Sequence, residues 1–174
     1  MKLSVEPLVA RLVKSRSFVL GAGIVGQCDL VTRHQLLAAL GDACAHALQR
    51  RVLVIRMGTA AEWSAAYESQ EQCKPDELRW REVGDSSADK QLWNQQLAHW
   101  TRIRIDYGLV VMDVGQLSHS KPSRSLGLCD GIVLHMLESP PERHTIKSLK
   151  ALRAGGPPIL GAWSVALHQR AAAA

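Results

Sequence analysis

A carboxylate closes one apolar strand: Leu109-Val110-Val111-Met112-Asp113, introduced by Asp106-Tyr107-Gly108. A strand-end aspartate holds Mg²⁺ or a water in phosphate-handling α/β proteins. A second pattern, Gly21-Ala22-Gly23-Ile24-Val25-Gly26, matches G-x-G-x-x-G. In a dinucleotide-binding unit such glycines permit a tight turn and close approach to a pyrophosphate at a helix N-terminus. Here five residues, Gln27 to Val31, intervene before Thr32, the expected helix cap. The acidic residue expected about twenty positions on is missing, and Arg56 closes the next strand, well beyond that spacing. An arginine there would suit a phosphorylated ribose, so an NAD(P) site built on Gly21, Gly23, Gly26 and Arg56 stays open. A glycine-rich turn after a buried strand is the favoured reading, because a lone match is weak.

Other candidates are thinner. No Gly-Lys-Ser/Thr is present, and no lysine lies between Gly21 and Leu37. The seven histidines are scattered, and His135, mid-strand, reads as core. Ser118-His119-Ser120 follows Asp113, but a Ser/His/Asp triad built on it lacks the G-x-S-x-G elbow. Cys28, Cys44, Cys73 and Cys129 form no C-x-x-C pair, so no metal site is expected. With no signal peptide in view they read as reduced thiols of a cytoplasmic protein. Trp93 and Trp100 are seven apart on one helical face, with core packing as default and a contact face as alternative.

The elements that must position these residues alternate. A short helix is expected over 6–14, and a strand over 17–20 running into a turn at Gly21-Ala22-Gly23. A helix over 33–50 follows, capped by Thr32, with Leu36, Leu37, Leu40 and Cys44 on one face. Strands follow at 51–56, 78–83, 109–113, 132–137 and 158–165, with helical turns at 62–69 and a loop at 115–128. Further helices are expected from Ser86 or Ser87 to about Arg104 and from Ser139-Pro140-Pro141 to Ala154, the last ended by Gly155-Gly156. Apolar strands alternating with helices predict an α/β three-layer sandwich with a mainly parallel sheet. At 174 residues this is one domain, 1–170, with an alanine tail at 171–174. The net charge of +5 is spread out. No basic run is dense enough for nucleic acid, no segment is long enough to span a membrane, and an anionic surface has only a modest claim.

The second half resembles a known class. Tyr107 to Gly115, then Cys129 to His135, then the helix from Pro141 with Gly155 to Gly161, resemble consecutive elements of bacterial tyrosine kinases and their MinD/ParA-type P-loop relatives over roughly sixty residues. The first half resembles them in outline. The resemblance implies a P-loop NTPase-like fold of MinD/ParA type, ATP-Mg²⁺ binding, phosphoryl transfer and a role in exporting or sizing cell-surface polysaccharide. Such activity needs a lysine and a hydroxyl at the phosphate loop, where counting back from Val52 places His34-Gln35-Leu36. It needs a second-strand aspartate, where Arg56 stands. Only Asp113 survives, expected to pair with a base such as Arg56. The closing asparagine is replaced around Ser164-Val165, and Tyr67 and Tyr107 are no tyrosine tail.

The expectation is therefore a non-catalytic, pseudokinase-like interaction or regulatory module, with no catalytic residues and no required cofactor. Its implied partners are a membrane polysaccharide co-polymerase, an active kinase or a second copy, and its implied place is the cytoplasm, at the inner membrane through a partner. The alternatives are NAD(P) or another nucleotide at the glycine loop with His34, Arg56 and Asp113, and an active ATPase or tyrosine kinase with an unusual phosphate loop.

Overall fold

The computed structural model describes residues 18–26, 28–58, 76–81, 86–117, 124–137 and 143–165. The expected 6–14 helix, the 62–69 turns, His119 and the alanine tail lie outside them. Six strands form one sheet: β1 (Phe18–Val25), β2 (Val52–Gly58), β3 (Asp76–Arg81), β4 (Leu109–Gln116), β5 (Gly131–Leu137) and β6 (Ile159–Val165). Their spatial order is β3-β2-β4-β1-β5-β6, and every pairing is parallel. Parallel strands are buried on both faces, hence the near-continuous apolar runs of β1, β2, β4 and β5.

The helices lie on the two faces, as a three-layer α/β fold requires. On one face α1 (Leu30–Leu48) sets Leu37, Leu40 and Cys44 over Leu20, Val54, Val111 and Val133. On the other, α2 (Ser87–Leu97) and α3 (Trp100–Asp106) cover Val19, Leu53, Ile55 and Val110. Further along that face, α4 (Arg143–Gly155) packs Leu149 and Leu152 with Val25, Ile132 and Leu134. Ser86 caps α2 by accepting from Asp89 N. The expected single helix to Arg104 breaks at Ala98 and His99 into α2 and α3. Trp93 and Trp100 pack on Trp80 at ring separations of 5.8 and 5.6 Å. These tryptophans seat α2 and α3 on the sheet, which is the core role.

Several boundaries differ from the sequence expectation: β3, expected at 78–83, spans Asp76–Arg81, and β2 runs on to Gly58. β1 does not turn at Gly21-Ala22-Gly23 but continues to Val25. α1 starts at Leu30, and its cap is Asp29, not Thr32: Asp29 Oδ1 accepts from Thr32 N at 2.7 Å. β4 runs past Asp113 to Gln116, and a 3₁₀ turn, Arg124–Leu128, lies within the stretch expected as a loop or loop-plus-turn.

The glycines inside β1 have a topological cause. β4 and β5 flank β1 on either side, so their connection must cross it. A Cβ on Gly21 would lie 2.8 Å from Ile132 Cγ2 and 2.9 Å from Cys129 Sγ, and one on Gly23 would lie 3.1 Å from Leu117 Cδ1. Leu117 and Cys129 stand near the two ends of that crossover, and these ends lie directly on bare backbone. Leu117 N donates to Ile24 O at 2.9 Å and Asp130 N to Val19 O at 2.8 Å, fastening both ends of it to β1.

Candidate functional site

In open parallel sheets ligands bind beyond the carboxyl ends of the strands, where neighbouring strands send their connections to opposite faces. Here that place lies between β1 and β4. β1 leads to α1 on one face, and β4 leads to the Leu117–Asp130 crossover on the other. Asp113 and the β1–α1 loop meet at this point.

Asp113 is 1% exposed. Its Oδ1 accepts the Gly115 N–H at 2.8 Å, and its Oδ2 lies 3.0 Å from Arg33 Nε. Ser125 Oγ donates to the Asp113 backbone oxygen at 3.3 Å. Arg33 stands in the first turns of α1 and also donates from an Nη to Met57 O at 2.7 Å, at the end of β2. One guanidinium therefore ties α1 to both β2 and β4. Gln116 Nε2 donates to Cys28 O at 2.7 Å, which spans the crevice from β4 to the β1–α1 loop. Burial raises the Cys28 thiol above its ordinary range.

The expected pairing of Asp113 with Arg56 is replaced by this contact with Arg33. Arg56 instead faces Glu77 of β3 at 3.0 Å, and Arg79 approaches the same oxygen at 3.5 Å. The reason is the sheet order: Arg56 sits on β2 between β3 and β4, and Glu77 reaches it from β3. His34 is not at the mouth of the β1–α1 loop. It lies in the second turn of α1, 5% exposed. Desolvation lowers its pKa to about 4, helped by the neighbouring charges of Arg56 and Arg33. Of the sequence candidates, the structure brings Asp113, His34 and Arg56 toward one end of the sheet. Gly21 and Gly23 are strand interior under the crossover. Only Gly26, at φ +111°, occupies a turn there, a conformation that glycine alone adopts freely.

Arg33 and Asp29 escaped the sequence reading. The signal for Asp29 was available, since aspartate just before an apolar helical run is a preferred N-cap residue. Arg33 gave no local signal, because its partner is eighty positions away.

The residues present do not fit a nucleoside triphosphate with its Mg²⁺. A phosphate loop inserts G-x-x-x-x-G-K between strand and helix, whereas only positions 26–29 separate Val25 from Leu30. One amide of the first helical turn, that of Thr32, is engaged by a carboxylate. The Thr32 N–H holds the Asp29 carboxyl below the usual range, so it is charged at neutral pH. That charge already complements the positive end of the helix. Among the described residues no three His, Cys, Asp or Glu side chains gather in a way that could hold a metal ion, and no helix is long and apolar enough to cross a membrane.

No protein-family model matches the chain, and no curated protein matches it. Among solved structures it is similar to the crystal structure of the chimerical protein CapA2B2, with a TM-score of 0.55 and 10% identity, covering 93% of this chain and 81% of that one. A likeness at that identity is one of fold, and it agrees with an α/β architecture built on a parallel sheet.

Proposed function

We propose that this chain is a non-catalytic member of the P-loop-like α/β class that acts as an interaction or regulatory module. The observation that carries the reading is the Arg33–Asp113 contact, buried at the switch point of the sheet. Arg33 gives the strand-end carboxylate the positive charge that a metal ion gives it in a phosphate-handling enzyme. The Gln116–Cys28 hydrogen bond and the Asp29 cap support the same reading, because they engage the groups that a phosphate would need. In this reading the protein holds from within the arrangement of α1, β2 and β4 that a ligand would otherwise organise.

The partner class follows from the sequence resemblance alone: a membrane polysaccharide co-polymerase, an active kinase of the same class, or a second copy, met at the inner face of the membrane. The test is hydrolysis. Purified protein incubated with ATP-Mg²⁺ releases no more phosphate than Asp113→Asn does, and transfers none to tyrosine. Turnover that Asp113→Asn abolishes would sink the proposal.

A further inference from the structure

The charges of this protein are neutralised unevenly. Arg33, Arg51, Arg56, Arg79, Arg102 and Arg104 each approach a carboxylate. α4 is different. Its thirteen residues, RHTIKSLKALRAG, hold two arginines and two lysines and no acid. The nearest carboxylates in sequence, Glu138 and Glu142, precede it. Leu149 and Leu152 turn inward. Lys147, Lys150 and Arg153 are exposed, and none makes an ion pair among the described residues. Ile146, Lys150 and Arg153, at i, i+4 and i+7, form one outward stripe, with Lys147 one position round it. Ile146 is 43% exposed in that stripe.

We infer that the outer face of α4 docks on an anionic phospholipid surface. The charge complementarity is one-sided and extends along the helix. The cations sit on long stems with no pocket shaped around them, as suits a surface without fixed register. Ile146 gives the stripe an apolar residue that the headgroup boundary can bury. A basic helical face without acids is the form in which proteins read anionic lipid. This inference is independent of what the Arg33–Asp113 crevice does.

The test is co-sedimentation of the full chain with vesicles of phosphatidylcholine mixed with phosphatidylglycerol, against vesicles of phosphatidylcholine alone. Binding is expected only to the former, and it is lost when salt shortens the screening length to about 3 Å. Lys147→Ala, Lys150→Ala and Arg153→Ala together should lower the partition coefficient roughly a hundredfold with an unchanged unfolding midpoint. A charge-matched variant, Lys90→Ala with Arg102→Ala and Arg104→Ala, should keep most of the binding. The inference is overturned if the anionic vesicles bind nothing, if the two triple variants lose binding equally, or if the α4 variant binds like the parent. Capture by an acidic protein in place of vesicles would also overturn it.

Discussion

Arg33 of α1 faces Asp113 of β4 at 3.0 Å, with side chains 12% and 1% exposed. A pair this deep is costly to desolvate, and it holds only while both charges are present. Removing one partner leaves the other buried without its counter-charge. Asp113→Ala should therefore destabilise by about 3–5 kcal/mol. Arg33→Met combined with the same Asp113→Ala should recover a good part of that loss. Urea unfolding of the four members of the cycle checks this. Additive single effects would remove the pair from the account.

The glycines of β1 are tested by adding one carbon. Gly21→Ala places a methyl 2.8 Å from Ile132 Cγ2 and 2.9 Å from Cys129 Sγ. Overpacking of this kind costs about 1–3 kcal/mol, to be read as a lower unfolding midpoint. A Gly21→Ala protein as stable as the parent would mean that the crossover does not rest on β1.

Acid sensitivity follows from two histidines. His135 is 1% exposed, packs against Trp163 at 5.7 Å with the rings tilted, and among the described residues its ring nitrogens have no hydrogen-bond partner. Burial lowers its pKa to about 4, as it does for His34. The unfolded chain binds these protons from about pH 6.5 downward, while the folded chain refuses them until about pH 4. Stability is thus fully present above pH 6.5 and is lost as pH falls toward 4, by about 3 kcal/mol for each histidine. His135→Leu should be neutral or stabilising at pH 7 and should flatten part of the acid slope. A slope unchanged by that substitution would contradict the assignment.

The cap on α1 makes a smaller prediction. Asp29 accepts from both Thr32 N and Thr32 Oγ1, at 2.7 and 2.9 Å. Asp29→Ala should cost about 1 kcal/mol, seen as a modest drop in midpoint, whereas Asp29→Asn should cost less. Equal and negligible effects would move the helix start elsewhere.

Much of this architecture is legible in the sequence. Val52 to Ile55, Leu109 to Met112 and Ile132 to Leu134 are apolar throughout, as central parallel strands must be. What misled was punctuation. Gly21 and Gly23 read as a turn because glycine usually marks one, yet here they make room for a crossover set by strand order, which no local window contains. Gly115 and Gln116 read as loop because the stretch they open is polar. Within the site, Asp113 stood out because a carboxylate ending an apolar strand is conspicuous. Its partner did not, because an arginine on the first turns of a helix is ordinary until the fold brings it against a residue eighty positions on. The exchange of Arg56 from Asp113 to Glu77 has the same origin, since a pairing across strands depends on which strands are neighbours.

The central claim is that the chain's own side chains occupy the ligand place of the fold. Thermal unfolding of the purified protein with and without ATP-Mg²⁺, ADP-Mg²⁺, NAD⁺ and NADPH tests it most directly. A ligand bound only by the native state, at a hundred times its Kd, adds about 2.7 kcal/mol of stability, a shift of several degrees in a domain of this size. The account predicts the same midpoint in every tube. A rise with ATP-Mg²⁺ that disappears in Asp113→Asn, or a rise with either dinucleotide, would contradict it.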